Sequence, residues 1–233
     1  MNIKKMKWNL EKRIALILFS ILMITIIYAV YKIITTPSSI AAVGLSIRSQ
    51  HDYVIMLMEC ALGILVMFVP SLLERRLHLR IPNYMYILYF VFLFCTIYLG
   101  EVNNFYYYIS FWDIILHSLS AAMLVALGFT ICGTLSDSEH TGIQLSPVFI
   151  ALFAFCFALA VGALWEIYEY SADEFLKLNM QKFRLLDGTL LVGHAALADT
   201  MKDIIVNTTS AFVVSTVGYF SLKIQSRRKT KLQ

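Results

Sequence analysis

Apolar residues run along this chain in six long stretches, at residues 14–34, 53–73, 84–100, 113–134, 147–170 and 204–222, with most charged residues gathered between them. Backbone polar groups in lipid must be satisfied within one helix or a closed barrel, and continuous apolar runs select helices. At about 1.5 Å of rise per residue, about 20 residues cross the roughly 30 Å hydrocarbon core. All six stretches are long enough to span, the third being the shortest. The pattern predicts an all-α, polytopic transmembrane helix bundle with six spans, forming a single integral membrane domain over residues 1–233. No internal repeat of fixed period is evident, so an inverted-repeat transporter has no direct support.

Composition narrows the class further. Hydrophobic residues make up 59% of the chain and charged residues only 15%, against roughly a quarter charged in a soluble domain, so a soluble protein is excluded. The first stretch follows Lys4, Lys5, Lys7, Lys12 and Arg13 as a signal peptide would. It exceeds an h-region and lacks a small-residue cleavage site, and therefore reads as a retained first helix. Cys60, Cys95, Cys132 and Cys156 lie inside apolar runs without CxxC spacing, as buried thiols do.

Basic residues orient the chain, because cytoplasmic loops retain them in excess. The five N-terminal bases, Arg75, Arg76 and Arg80 in the second loop, and Lys223, Arg227, Arg228, Lys229 and Lys231 in the tail fall on one side. Lys32, Arg48, Lys177, Lys182, Arg184 and Lys202 fall on the other. Both termini are thus expected in the cytoplasm. The fourth loop carries Asp137 and Glu139 without a base, which leaves the assignment unchanged. The net charge of +4 resides in flanks that face anionic headgroups, and no basic soluble domain exists to hold nucleic acid. The expected partner is the bilayer.

Ionisable residues in or beside the spans are costly and therefore informative. Asp113 and His117 stand at i and i+4, Glu166 and Glu169 at i and i+3, and Asp199 and Asp203 at i and i+4, each pair on one helix face. In the expected topology all three pairs lie at the outer interface. Glu59 reaches the same depth range, and Glu101 closes the third span on that side.

Each position also has a plainer explanation. Capping and the macrodipole favour an aspartate at a helix N-terminus, which would account for Asp113, Asp199 and Asp203. Glu59 could serve as a helix-packing hydrogen bond, and Phe105, Tyr106, Tyr107, Tyr108, Phe111 and Trp112 read as an interfacial belt. Glu166 and Glu169, at the expected C-terminal end of their helix, are disfavoured by its dipole and need compensation. His117, one turn from Asp113 and level with other acids, fits a ligand or proton carrier.

So many carboxylates at one level call for cations. Lys202 and Arg184 could offset part of the charge. Asp113, His117, Glu166, Glu169, Asp199 and Asp203 form the candidate metal set, with His117 and Glu166 as candidate catalytic groups. Oxygen-rich ligands with one imidazole suit Mg, Mn, Ca, Zn or Fe, and the spacing does not choose among these divalent metals. Neither the paired ExxH of di-iron bundles nor HExxH is present.

At these blocks the chain resembles the YjdF-like bacterial membrane proteins. The likeness runs through Glu59, through Leu99-Gly100-Glu101-Val102-Asn103-Asn104-Phe105-Tyr106, and through Trp112-Asp113 with Leu116-His117. It continues through Ala163-Leu164-Trp165-Glu166-Ile167-Tyr168-Glu169 and ends on Asp199-Thr200-Met201-Lys202-Asp203. It covers roughly residues 50–220 and implies a multi-pass protein of the bacterial cell membrane. A more distant similarity is to the VanZ-like proteins, which also carry Asp-x-x-x-His on one helix and Glu then Asp on later ones. The chain departs from both patterns at Asn207 and Ala211, which puts an acidic role at the first and close helix packing at the second in question.

Three functions fit this reading. One is a metal-assisted hydrolase or transferase acting on a lipid-linked or envelope substrate, with His117 shuttling a proton. Another is a proton or metal-cation transporter. The third is a non-catalytic envelope factor in which the acids only fix helix packing. Beyond their acid-bearing ends the fourth, fifth and sixth spans contain no acidic residue, which favours a one-sided site over a through-path.

Overall fold

The computed structural model describes residues 9–37, 48–136, 145–185 and 188–230. Lys4, Lys5, Lys7, Asp137, Glu139 and Lys231 lie outside the described residues. Among the described residues the protein is all-helical, apart from an isolated antiparallel bridge between Arg184 and Leu190. The helices are α1 (Leu10–Thr35), α2 (Gln50–Val66), α3 (Val69–Leu77), α4 (Asn83–Leu93), a π-helix (Phe94–Val102), α5 (Phe105–Tyr108), α6 (Trp112–Ser136), α7 (Pro147–Leu176) and α8 (His194–Thr230). Among the described residues six helical segments are long and apolar enough to cross a membrane, as the six apolar stretches require. The four cysteines are free, but only Cys60 and Cys132 are buried as expected; Cys95 is half-buried and Cys156 is exposed, because an apolar run in a membrane helix turns one face outward.

The chain divides into two compact units, one containing α1 to α5 with the π-helix and the other α6 to α8. In the first unit α1 packs on α2 and α4, and α2 packs on the π-helix. Its core is built from large side chains, among them Leu18, Leu22, Met56, Phe90, Leu93 and Ile97. Ser49 starts α2 with a capping box: its hydroxyl accepts from the Asp52 amide, and the Asp52 carboxylate accepts from the Ser49 amide at 2.7 Å.

The second apolar stretch does not form one continuous helix. Pro70 has no N–H to offer the Val66 carbonyl, so α2 ends and α3 begins around it. The Tyr89 hydroxyl donates to that carbonyl at 2.7 Å and satisfies it. The third stretch finishes as the π-helix, whose last carbonyls are capped by Arg48. Its guanidinium donates to Val102 O at 2.7 Å, to Glu101 O at 3.3 Å and to Asn104 Oδ1 at 2.9 Å.

In the second unit α6, α7 and α8 each pack against the other two. Their shared core is made of small residues: Ala121, Val125, Ala154, Ala158 and Ala211. A Cβ added at Gly128 would lie 2.8 Å from the Ala154 Cα, so the α6 and α7 backbones approach as closely as side-chain size allows. Ala211 is fully buried. Alanine at this position therefore gives the close helix packing that the sequence reading had put in question.

Two helix ends beside the acidic residues fall elsewhere than the apolar pattern predicts. α7 continues past residue 170 to Leu176, and α8 begins at His194 instead of near residue 204. Hydropathy marks where apolar content ends, whereas helical hydrogen bonding continues into polar sequence. Glu166 and Glu169 consequently sit inside α7, so the dipole argument at its C-terminus does not apply to them. Asp199 and Asp203 sit beyond the first turn of α8, so capping does not explain them either. Of the three aspartates, only Asp113 occupies the first turn of its helix.

Candidate functional site

α7 carries its polarity inverted relative to a soluble helix. Leu164 and Ile167 are 63% and 60% exposed, while their neighbours Glu166 and Glu169 are 5% and 8% exposed. Apolar side chains outward and carboxylates inward suit a lipid surround and a polar interior. On α6, His117 is 7% exposed, and on α8 Asp203 is 3% exposed and Asn207 5%. The acidic faces of all three helices turn toward one another.

They meet as two overlapping groups. Ligand atoms of Asp113, His117 and Asp203 lie within 4.8 Å of one another, and so do those of Glu166, Glu169 and Asp203. Asp203 belongs to both. His117 Nε2 stands 3.6 Å from Asp113 Oδ1 and 3.8 Å from Asp203 Oδ2, beyond hydrogen-bond length in each case. Trp165 Nε1 donates to Glu169 Oε1 at 2.9 Å. Both Glu166 carboxylate oxygens are buried without a hydrogen-bond partner among the described residues.

Asp199, the remaining acid expected in the site, joins neither group. One of its oxygens lies 3.7 Å from Lys182 Nζ and the other is buried and unpartnered. Glu59 and Glu101 belong to the other helical unit.

A loop segment missing from the sequence-based site supplies the counter-charge. Lys182 Nζ hydrogen-bonds Asp113 Oδ2 and faces Asp199. Burial alone would lower the Lys182 pKa, but the Asp113 and Asp199 carboxylates outweigh it and hold the group above its ordinary value. The ionic contacts to Asp113 and Asp199 come from Lys182, while Lys202 offsets Asp199 through its charge without an ion pair to it among the described residues. Arg184 instead donates to the Leu178 carbonyl at 3.3 Å, and Lys202 is exposed.

The loop is built to hold that ammonium in place. Asp173, buried near the end of α7, accepts from the Met180 and Gln181 amides at 2.6 and 2.9 Å. The Asn179 side chain closes the turn, donating to Arg184 O at 2.8 Å and accepting from the Arg184 amide at 2.9 Å. Gln181 Nε2 ties the turn to α8 through Thr200 Oγ1 at 2.9 Å. Within this clamp Lys182 has a φ of +46°, a left-handed conformation that a residue other than glycine adopts only when its surroundings enforce it. In the sequence Lys182 shows only as one base in the loop joining two acid-bearing helices, and no spacing rule singles it out.

Asn207 is the other addition. Its amide nitrogen is 3.3 Å from His117 Nδ1, and its Oδ1 is buried without a partner. The two orientations of a side-chain amide are nearly identical in shape. With the amide turned over, Oδ1 would accept from a protonated Nδ1 and the Nε2 lone pair would face Asp113 and Asp203, while the amide nitrogen would take the buried position at which Oδ1 has no partner. This neutral side chain thus stands where it can orient the imidazole.

The chain aligns with a protein of Thermotoga maritima described as an uncharacterized protein, at 28% identity over 155 residues, covering 65% of this chain and 70% of the relative. No solved structure matches it. Residues 31–224, including every site residue above, match the family described as predicted membrane protein DUF2238. Six apolar helices and this match agree that the protein is an integral membrane protein, and the chain belongs to the DUF2238 family.

Proposed function

We propose that α6, α7 and α8 form a divalent-cation centre at the outer face of the membrane. The observation that carries this reading is Glu166: a carboxylate 5% exposed, with neither oxygen hydrogen-bonded, aimed at Glu169 and Asp203. Burying an ionised carboxylate with nothing to replace its water is among the costliest arrangements a protein can hold, and a bound cation removes the cost. The 3.6 Å between His117 Nε2 and Asp113 Oδ1 supports the same reading, and Asp203 Oδ2 at 3.8 Å lies just beyond the range for ligands of one ion. Two ligands about 2.1 Å from one ion stand roughly 3.0–3.6 Å apart across common coordination angles.

The outward orientation rests on the basic residues at both ends of the chain and in the 75–80 loop. At that interface a cation would polarise a phosphoryl or acyl oxygen of a lipid-linked or envelope substrate, as a hydrolase or transferase requires. The order Asp-x-x-x-His, then Glu, then Asp shared with YjdF-like and VanZ-like proteins adds to this reading. His117 serves it as a ligand through Nε2. Confinement of the acids to one end of each helix speaks against a cation path through the bilayer.

Metal analysis of detergent-purified protein, wild type beside Glu166→Gln, tests the proposal. The wild type should carry a divalent metal that the variant loses at unchanged folded yield. Glutamine keeps the shape and removes the charge. Equal metal content in the two proteins, with the variant equally or more heat-stable, would refute it in favour of acids that serve only helix packing.

A further inference from the structure

The site does not gather its ligands around one point. Asp113, His117 and Asp203 form one group and Glu166, Glu169 and Asp203 a second, and the only residue common to both is Asp203, contributed by α8. We infer that the centre holds two cations bridged by the Asp203 carboxylate, one bound by Asp113 and His117 and the other by Glu166 and Glu169. This inference rests on the metal-binding reading above and divides it into two positions.

Charge supports a pair. Asp113, Glu166, Glu169, Asp199 and Asp203 bring five carboxylates and Lys182 one ammonium, so four negative charges remain when all are ionised, the number that two divalent ions neutralise. Asp173 stands outside this balance because both its oxygens accept backbone N–H groups. A single ion among Asp113, His117 and Asp203 would leave the two unpartnered Glu166 oxygens as they are. A single ion among Glu166, Glu169 and Asp203 would leave His117 Nε2 facing two carboxylates without hydrogen-bonding either.

The two positions differ chemically. The first offers an imidazole nitrogen with two carboxylates, suited to Mn, Fe or Zn, and the second offers carboxylates only, suited to harder ions. Paired ions about 3.5–4 Å apart clamp the attacking and departing oxygens of a displacement at phosphorus. The pair therefore points to a phosphate ester or diphosphate as the substrate class.

Manganese(II) reads the arrangement directly. Metal-stripped full-length protein in detergent, titrated with Mn²⁺, should saturate at two ions per chain and give an exchange-coupled electron paramagnetic resonance spectrum. Glu169→Gln and His117→Gln each remove a ligand from one group only. Each should bind one ion and show the uncoupled hyperfine sextet of an isolated Mn²⁺. Saturation of the wild type at one ion with that sextet overturns the pair while leaving a mononuclear centre standing. Absence of Mn²⁺ binding overturns both readings. Two ions in the wild type with no magnetic coupling would also overturn the inference, because it places them on a shared carboxylate.

Discussion

The two helical units use the same membrane-spanning elements in opposite ways. In the first, large side chains such as Leu22, Met56 and Phe90 fill the space between helices, and its polar groups tie mainly to backbone: Arg48 to the end of the π-helix, Ser49 to the start of α2, Tyr89 to the carbonyl freed by Pro70. In the second, alanines and Gly128 bring the helix backbones close, and the polar groups face one another. Lipid tails are as apolar as leucine, so helices in a bilayer associate through close packing and hydrogen bonds, not through the hydrophobic effect. Small residues serve a further end here. Aspartate and histidine side chains are short, and they converge from separate helices only where the backbones approach. Large residues would separate the very groups that the second unit brings together.

A matched pair of glycine substitutions tests this contrast most severely. An added Cβ at Gly128 meets the Ala154 backbone at 2.8 Å, whereas at Gly63 it meets the tip of the flexible Ile97 side chain. Gly128→Ala should cost about 3 kcal/mol through overpacking and weaken metal binding, while Gly63→Ala should cost less than about 1 kcal/mol and leave metal content unchanged. Thermal unfolding in detergent with metal analysis of both variants would check this. Equal costs would mean that close helix approach is not what distinguishes the units.

Lys182→Met should have the next largest effect, about 2 kcal/mol in metal-stripped protein, because Asp113 and Asp199 lose their ammonium. Its pH dependence has a definite sign. A lysine whose folded pKa is raised stabilises fully below the unfolded value of about 10.4, and that contribution disappears as pH rises through the folded value. The stability gap between wild type and variant should therefore hold from neutral pH to about 10 and close above it. Denaturation measured across that range checks this, and a gap that instead grows with pH would remove Lys182 as the site's counter-ion.

The smallest effect belongs to the first unit. Ser49→Ala removes the α2 capping box and should cost about 1 kcal/mol with unchanged Mn²⁺ stoichiometry. Loss of manganese in that variant would show that the metal centre depends on the first unit as well.

The sequence by itself determined the membrane class and the number of spans, and it marked the polar pairs on each helix, because each depends on local properties: run length, composition and the i, i+3 or i, i+4 spacing on one helix. Asp113 with His117 and Glu166 with Glu169 were legible for that reason. What lies between helices depends on tertiary structure. The division into two units, the sharing of Asp203 between two ligand groups and the seat of Asn207 beside His117 arise only when separate helices pack. Lys182 is the clearest case. Nothing in its neighbours along the chain distinguishes it from Lys177 or Arg184. Its role follows from Asp173, Asn179 and Thr200, which hold a turn in a left-handed conformation and carry one ammonium onto Asp113, 69 residues away in sequence.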